Sequence, residues 1–345
     1  MRYTDNYLQD LRDIQKSIPC LEKLRNKRIM VTGGGGLIGS ALVDFLLSLN
    51  DNEQYGIEVY VAARNKQKIE KRFSASVRRK DFIYVPYEAA EPVSLKHGVD
   101  YIVHAASPAN PAAYSRQPVE TMAANFQGMY HILNYARDFQ VTRVVYVSSS
   151  EVYGKKNDGK PYHEDEYGFL DILNPRACYP SSKRAAETLC ASFLQEYNVD
   201  SVIVRPGHVY GGTALPEDNR AATQFMYDVI NDRDIVMKSP GLQLRSYCYV
   251  CDAVSSVFVV MLNGEKGRSY NISNPDSICT IRELAECIAR TGGKTVEFAV
   301  PSEAETRSYN LMDNSSLDST LIESLGWKGM FDLSTGVAHS LEALK

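Results

Sequence analysis

The run Arg28-Ile-Met-Val-Thr32 leads straight into Gly33-Gly-Gly-Gly-Leu-Ile-Gly39, and an apolar helical pattern continues to about Leu49. An apolar strand, a glycine turn and a helix, in that order, restrict the fold more than any other stretch of the chain. Glycines at this spacing are useful where a buried strand reverses tightly into a helix. Gly33 would permit the turn, Gly36 the close approach of a pyrophosphate, and Gly39 tight packing of helix on strand. Leu37 and Ile38 open the helix, whose N-terminal N–H groups suit phosphate oxygens. The expectation is a dinucleotide site.

The same unit recurs. Short apolar segments at Ile57 to Ala62, Phe82 to Val85, Asp100 to His104 and Val141 to Val147 alternate with helical ones, the longest running from Val119 to Phe139 and from Arg176 to Tyr197. Such alternation predicts an α/β fold, a Rossmann doubly wound parallel sheet with right-handed crossovers. After Ser201 to Arg205 the alternation loosens. Asn219 to Asp232, Tyr270 to Ile272, Ile281 to Arg290 and Thr295 to Phe298 then read as a smaller C-terminal α/β substrate lobe. The expected division is 1–26 as an N-terminal helical extension, 27–205 as the dinucleotide-binding domain with about 245–263 returning to it, and 206–345 as mainly the substrate lobe. In the extension Leu8, Leu11, Ile14, Ile18 and Leu21 keep helical spacing, interrupted at Pro19.

The second strand would end in an acid if it bound the ribose hydroxyls of NAD. It ends in Ala63-Arg64-Asn65, followed by Lys66, Lys68, Lys71 and Arg72, so Arg64 leans the cofactor towards NADP. Glu88, after the third strand, and Ala105, after the fourth, complete the expected cofactor set, and Ser107 is assigned to the substrate side. His104 reads as a packed histidine beside the cofactor crevice, because no Cys/His/Asp cluster surrounds it to make a metal site.

Chemistry is expected where Val147-Ser-Ser-Ser-Glu-Val-Tyr-Gly154 meets Tyr179-Pro-Ser-Ser-Lys183. The strand end delivers hydroxyls and a carboxylate, and Tyr179 and Lys183 lie one helical turn apart on one face. A free tyrosine titrates at roughly 10, too high for a base at neutral pH. A lysine ammonium and an oxidised nicotinamide both favour the phenolate. Ser149 would hold the substrate hydroxyl that Tyr179 deprotonates, and Lys183 would tune Tyr179.

Composition narrows the partner. A net charge of −4, 44% hydrophobic and 23% charged residues describe a globular chain with no electrostatic reason to bind nucleic acid or a membrane surface. No apolar run reaches the roughly 18 residues of a membrane span, and the start of the chain does not resemble a signal peptide. Seven scattered cysteines in a chain of 345 residues read as reduced cytoplasmic thiols, and Cys248-Tyr-Val-Cys251 has no second pair to make a zinc site.

These motifs together resemble the extended short-chain dehydrogenase/reductases of the NAD-dependent epimerase/dehydratase family, from about Lys27 onward, and within it the UDP-glucuronate decarboxylase (UDP-xylose synthase) branch. The likeness is carried by His104-Ala-Ala-Ser-Pro-Ala-Asn-Pro111, the Tyr114 to Asn125 run with Gly128, Ser149-Ser-Glu-Val-Tyr-Gly154, and Asn174-Pro-Arg-Ala-Cys-Tyr179 with Lys183-Arg-Ala-Ala-Glu-Thr188. It implies Ser149, Tyr179 and Lys183 as hydroxyl, base and lysine, and Glu151 at the decarboxylase glutamate. It also implies Ser150, Arg220 and Arg245 as substrate or nucleotide contacts, with His208 where the family carries an Asn. The implied cofactor is NAD and the implied substrate a nucleotide sugar, UDP-linked, oxidised transiently to a 4-keto sugar. Dehydratases carry an Asp-Glu pair where this chain has Ser150-Glu151. A missing acid at 150 argues against loss of a 6-hydroxyl. Gly212 replaces a family proline, and Lys238 occupies an aromatic position. A 4-epimerase, a 4,6-dehydratase, an NADPH-dependent keto-sugar reductase and a non-catalytic dinucleotide module remain alternative readings. The resemblance further implies a homodimer in which the 119–139 and 176–197 helices pair, with Met122, Met129, Leu133, Leu189 and Phe193 as candidate contacts.

Overall fold

The computed structural model describes residues 3–109, 111–156, 158–300 and 312–345. Asn110 of the His104 to Pro111 motif, and residues 301–311 of the expected substrate lobe, lie outside the described residues. Seven parallel strands form the main sheet in the order β3-β2-β1-β4-β5-β6-β10. They are β1 (Arg28–Thr32), β2 (Glu58–Ala63), β3 (Phe82–Pro86), β4 (Tyr101–His104), β5 (Arg143–Val147), β6 (Ser201–Pro206) and β10 (Ser269–Ile272). Strand order reverses at β1, which pairs with β2 on one side and β4 on the other. A crevice therefore opens outside the carboxyl ends of β1 and β4.

Helices cover both faces because the strands are apolar on both sides. Ile29 and Val31 belong to the core shared with α2 (Leu37–Glu53) and α8 (Val250–Asn263). Met30 points the other way, into the core shared with α5 (Pro118–Asp138) and α6 (Cys178–Tyr197). The expected interface residues Met129, Leu133 and Phe193 are part of that second core, whereas Met122 is exposed. His104 also faces this second side, stacked on Tyr146 with its ring Nδ1 2.8 Å from the Thr32 hydroxyl, so it is packed within the sheet and does not line the crevice.

Tyr270–Ile272 is a correction. Expected in the smaller lobe, it is the seventh strand of the main sheet, with Tyr270 opposite Val204. Its crossover, α8, lies within the 245–263 stretch expected to return to the dinucleotide domain and is buried along its length; the expectation stopped at that helix and left out the strand after it.

The remaining strands assemble around β9 (Leu244–Tyr249), which pairs with β7 (His208–Tyr210), β11 (Ile278–Thr280) and β13 (Asn314–Ser315). Beside them β8 (Ile235–Met237) pairs with β12 (Val296–Phe298). The helices of this region are α7 (Ala221–Ile230) and α9 (Ile281–Thr291), the latter started by a reciprocal Thr280/Glu283 capping box. At the other end of the chain, α1 (Asp5–Ser17) is capped by the Thr4 hydroxyl and stops before Pro19. It buries Tyr7, Leu11 and Ile14, and Asp10 accepts a 2.9 Å hydrogen bond from the Tyr249 hydroxyl. Among the described residues no helix is long and apolar enough to cross a membrane.

Candidate active site

A cavity of about 660 Å³ lies over the carboxyl ends of β1, β4, β5 and β6 and beneath β9 and α7. Gly33, Gly36, Leu37, Ile38, Gly39, Ala105, Ser107, Ser149, Ser150, Glu151, Tyr179, Lys183, His208, Arg220 and Arg245 all line it. Arg64 and Glu88 do not. They face each other at 4.0 Å on the exposed surface, where β2 and β3 end beyond the cavity.

The glycine turn is shaped by contacts that admit no side chain. Gly33 has φ +69°, and a Cβ there would stand 2.8 Å from the Ala105 carbonyl oxygen. A Cβ on Gly39 would stand 2.1 Å from the Gly33 oxygen. The turn thus leaves the first N–H groups of α2 open to the cavity at Leu37, Ile38 and Gly39. Thr213 donates a 2.7 Å hydrogen bond to the Leu37 carbonyl, tying the segment after β7 to the start of that helix. A bare backbone cradle under a helix N-terminus fits the pyrophosphate of a dinucleotide.

Tyr179 and Lys183 are both buried against the strand ends. The Lys183 ammonium donates to the Val147 carbonyl at 2.7 Å and sits 4.7 Å over the Tyr146 ring and 5.7 Å from the centre of the Tyr179 ring. Burial pulls Lys183 down to about 7, against the opposing attraction of Glu187. Tyr179 goes the other way from the expectation. Burial, and then the Glu151 charge, push it up to about 12, while the Ser149 hydroxyl, Arg220 and Arg176 pull it down. Protein groups alone therefore do not make a phenolate, because burial of Tyr179 and the Glu151 charge outweigh the groups that favour it.

Glu151 is not free. The Ser149 hydroxyl accepts the Glu151 N–H at 3.2 Å and starts a 3₁₀ turn, Ser150–Tyr153, that aims the carboxylate into the cavity. There the Arg176 guanidinium forks onto both carboxylate oxygens, at 3.1 and 3.2 Å. Arg176 also lies 4.4 Å over the Tyr114 ring, which stacks on Tyr179 at 5.1 Å. Tyr114 comes from the short helix α4 (Pro111–Arg116).

The far wall is polar and partly unsatisfied. Buried His208 Nδ1, Gln243 Oε1 and Ser315 Oγ, each on a residue lining the cavity, have no hydrogen-bond partner among the described residues. Burial, then Arg245 and Arg220, drive His208 down to about 3, so its imidazole is neutral. Arg245 is buried and donates to the Leu244 carbonyl at 2.9 Å, and Arg220 pairs with Asp218. Unpaired buried polar atoms beside guanidinium groups suit a ligand that carries hydroxyl donors as well as negative charge. Sequence reasoning missed Arg176, Tyr114, Gln243 and Ser315. The signal for Gln243 was present: Gln243, Arg245 and Tyr247 alternate along β9 and line one cavity. Among the described residues no group of three or more His, Cys, Asp or Glu could hold a metal.

A parallel sheet with its cradle at the switch point, and a serine, tyrosine and lysine beside it, define a dinucleotide-binding α/β protein with a second ligand space over the strand ends. The model of the NAD dependent epimerase/dehydratase family matches residues 29–273, and the chain belongs to that family. It is 31% identical to UDP-glucuronic acid decarboxylase 6 of Arabidopsis thaliana, over 90% of this chain and 87% of that protein. It is 28% identical to UDP-glucuronic acid decarboxylase 1 of Danio rerio, over 93% of this chain and 73% of that one. Among solved structures, the UDP-glucose 4-epimerase of Thermotoga maritima with UDP-glucose superposes with a TM-score of 0.77 at 21% identity, covering 92% of this chain and 98% of that one. The dTDP-glucose 4,6-dehydratase of Streptomyces venezuelae with NAD bound reaches 0.78 at 24%, over 92% and 96%. These two share the fold.

Proposed function

We propose that this chain decarboxylates UDP-glucuronate to UDP-xylose through a transient 4-keto sugar, with NAD as a cofactor that is regenerated in each turnover. The observation that carries the reading is Glu151 standing beside Tyr179 in one cavity, with a serine and not a second acid at 150. Its decarboxylase relatives support it. NAD is favoured because Arg64, the residue that leans towards NADP, is paired with Glu88 outside the cavity.

Bound NAD supplies a reversible acceptor for the hydrogen on the sugar's C4. Tyr179 takes the proton of the 4-hydroxyl, and Ser149 holds that oxygen in line. Oxidation makes a β-keto acid. The C5–carboxylate bond then breaks, its electron pair moves onto the 4-keto oxygen, and carbon dioxide leaves. Glu151 manages the proton that C5 then takes up. C4 then takes its hydrogen back while Tyr179 returns the proton to its oxygen, closing the cycle at UDP-xylose, and Lys183 holds Tyr179 against β5. Ser107, Ser150, His208, Arg220 and Arg245 orient the sugar and its diphosphate, with the neutral His208 contributing hydrogen bonds and the arginines charge.

We divide the chain functionally into the extension, the cofactor half (27–205, with 245–263 and β10) and the remaining residues as the substrate half. Seven free thiols fit a reducing compartment, the cytoplasm. A homodimer is supported by the exposed stripe Val119, Met122, Phe126 and Tyr130 along α5.

The test is incubation with UDP-glucuronate and NAD, following released carbon dioxide and the product sugar. A five-carbon UDP-sugar and one carbon dioxide per turnover are expected. A retained six-carbon product overturns decarboxylation.

A further inference from the structure

Glu151 is the residue on which the proposed reading turns, and its partner has no assigned role. Arg176 lies 25 positions away, in the 3₁₀ turn Pro175–Ala177 immediately before α6. Asn174 caps that turn by accepting the Arg176 N–H at 3.0 Å, so the backbone bearing the guanidinium is fixed. The guanidinium is fixed at its other end too, with both carboxylate oxygens of Glu151 in its fork and the Tyr114 ring beneath it. Planar bidentate pairing fixes direction as well as distance, which a single point contact does not. The side chains are about three-quarters buried, at 27% exposure for Arg176 and 22% for Glu151, and both line the cavity.

We propose that Arg176 is a positioning residue: its fork fixes the Glu151 carboxylate in the cavity and offsets part of the negative charge that Glu151 sets beside the phenol of Tyr179. The proposal takes the role of Glu151 from the decarboxylase reading, but the geometry of the clamp stands without it. The Ser149 hydroxyl faces Tyr179 from the end of β5 and favours its phenolate. Tyr114 stacks on Tyr179 from α4, Tyr146 lies behind it on β5, Lys183 follows on its own helix and Cys178 precedes it. Arg220 approaches from the segment before α7, and Glu151 and Arg176 arrive together from the two 3₁₀ turns. Of the latter pair, Glu151 disfavours the phenolate and Arg176 favours it. Held as an ion pair they partly offset at the phenol, with Glu151 the larger. Separated, they would not.

The experiment titrates tyrosinate by ultraviolet difference in the NAD-loaded protein, each variant being read against the same variant carrying Tyr179→Phe. Arg176→Met is expected to move the Tyr179 titration up by about half to one pH unit, and Glu151→Gln to move it down by at least as much, the range for a charge about two ring widths away in a partly buried site. The double variant, neutral at both positions, is expected to titrate between the wild type and Glu151→Gln, because Glu151 is the larger of the two influences. Arg176→Lys keeps the charge and loses the fork, so its titration stays near the wild type while kcat falls at unchanged KM. A single Arg176→Met variant that titrates with the wild type, or lower, overturns the proposal. Should Arg176→Met not fold, Glu151→Gln and the double variant carry the same comparison, and equal titration of those two overturns it. No substrate enters the titration, so failure to release carbon dioxide from UDP-glucuronate would defeat the decarboxylase reading separately and leave the clamp standing.

Discussion

Glu187 lies one turn beyond Lys183 on α6, and replacing it by Gln probes what holds the site's inner wall. Its carboxylate accepts hydrogen bonds from Arg205 Nε at 3.0 Å, Arg205 Nη2 at 2.6 Å and the Ser148 hydroxyl at 2.6 Å. Arg205 is 2% exposed and has further bonds to the Tyr153 and Tyr167 hydroxyls and the Glu164 carbonyl, all neutral groups that leave its charge unbalanced. Glu187→Gln keeps the shape and removes the charge, leaving a buried guanidinium beside a buried lysine. Breaking a buried pair from one side costs about 3–5 kcal/mol, a large share of the roughly 5–15 kcal/mol by which a folded chain is stable. Arg205→Met should cost a similar amount, since it strands the carboxylate. The double variant Glu187→Gln with Arg205→Met strands neither charge and should lose no more than either single variant, giving a coupling of about 3–5 kcal/mol. Denaturant unfolding followed by the fluorescence of Trp327, the single tryptophan and buried at 2% exposure, measures all three. Additive losses, or a Glu187→Gln loss below about 1 kcal/mol, would refute the argument that charge compensation holds this wall together.

Lys183→Met should abolish turnover yet raise stability at pH 6 to 7. The lysine's pKa falls from 10.5 in the unfolded chain to about 7 in the fold, so the unfolded chain binds more protons between those values. Wild-type stability therefore rises with pH across that window, and the variant's advantage in thermal unfolding should shrink from pH 7 towards 10.5 and stay constant below it. Gly39→Ala forces a methyl to 2.1 Å from the Gly33 carbonyl oxygen, a backbone atom that has to move. A loss of about 1–3 kcal/mol is expected, with at least tenfold weaker NAD binding by calorimetry. Wild-type affinity would show that the turn is not a phosphate cradle. Phe126→Lys with Tyr130→Lys, both on the exposed side of α5, should give a monomer in sedimentation velocity without loss of fold.

Much of the fold was readable because its signals are local. Strand, glycine turn and helix are contiguous from Arg28 to Leu49, and Tyr179 and Lys183 share a helix face. The segments that misled are those whose environment is set from far away. Tyr270–Ile272 looked like part of a separate lobe because a four-residue strand so far along the chain carries no local sign of its partner, β6. Met129, Leu133 and Phe193 looked available for a partner because an apolar position on a long helix reads alike whether it meets its own sheet or a second copy. Arg64 leans the cofactor towards NADP by its place just after β2, and its pairing with Glu88 is set by the fold and not by anything local.

Electrostatics was the least legible layer, and Tyr179 shows why. From sequence, the adjacent Lys183 implies a lowered phenol. In the fold, desolvation reverses the sign for both residues at once, raising the tyrosine and lowering the lysine. A buried Lys183 near 7 exchanges protons readily at neutral pH, which suits a residue that must follow a phenol through gain and loss of a proton. Glu187 and Arg205 then matter to chemistry as well as to stability, because Glu187 is the charge that keeps Lys183 from falling further. The same α6 helix thus carries Tyr179, Lys183 and Glu187 at successive turns, with Arg176 just ahead of it. If that succession sets the protonation of the site, Glu187→Gln should shift the Lys183 titration downward even where the protein remains folded. A titration unchanged from the wild type would confine Glu187 to holding Arg205.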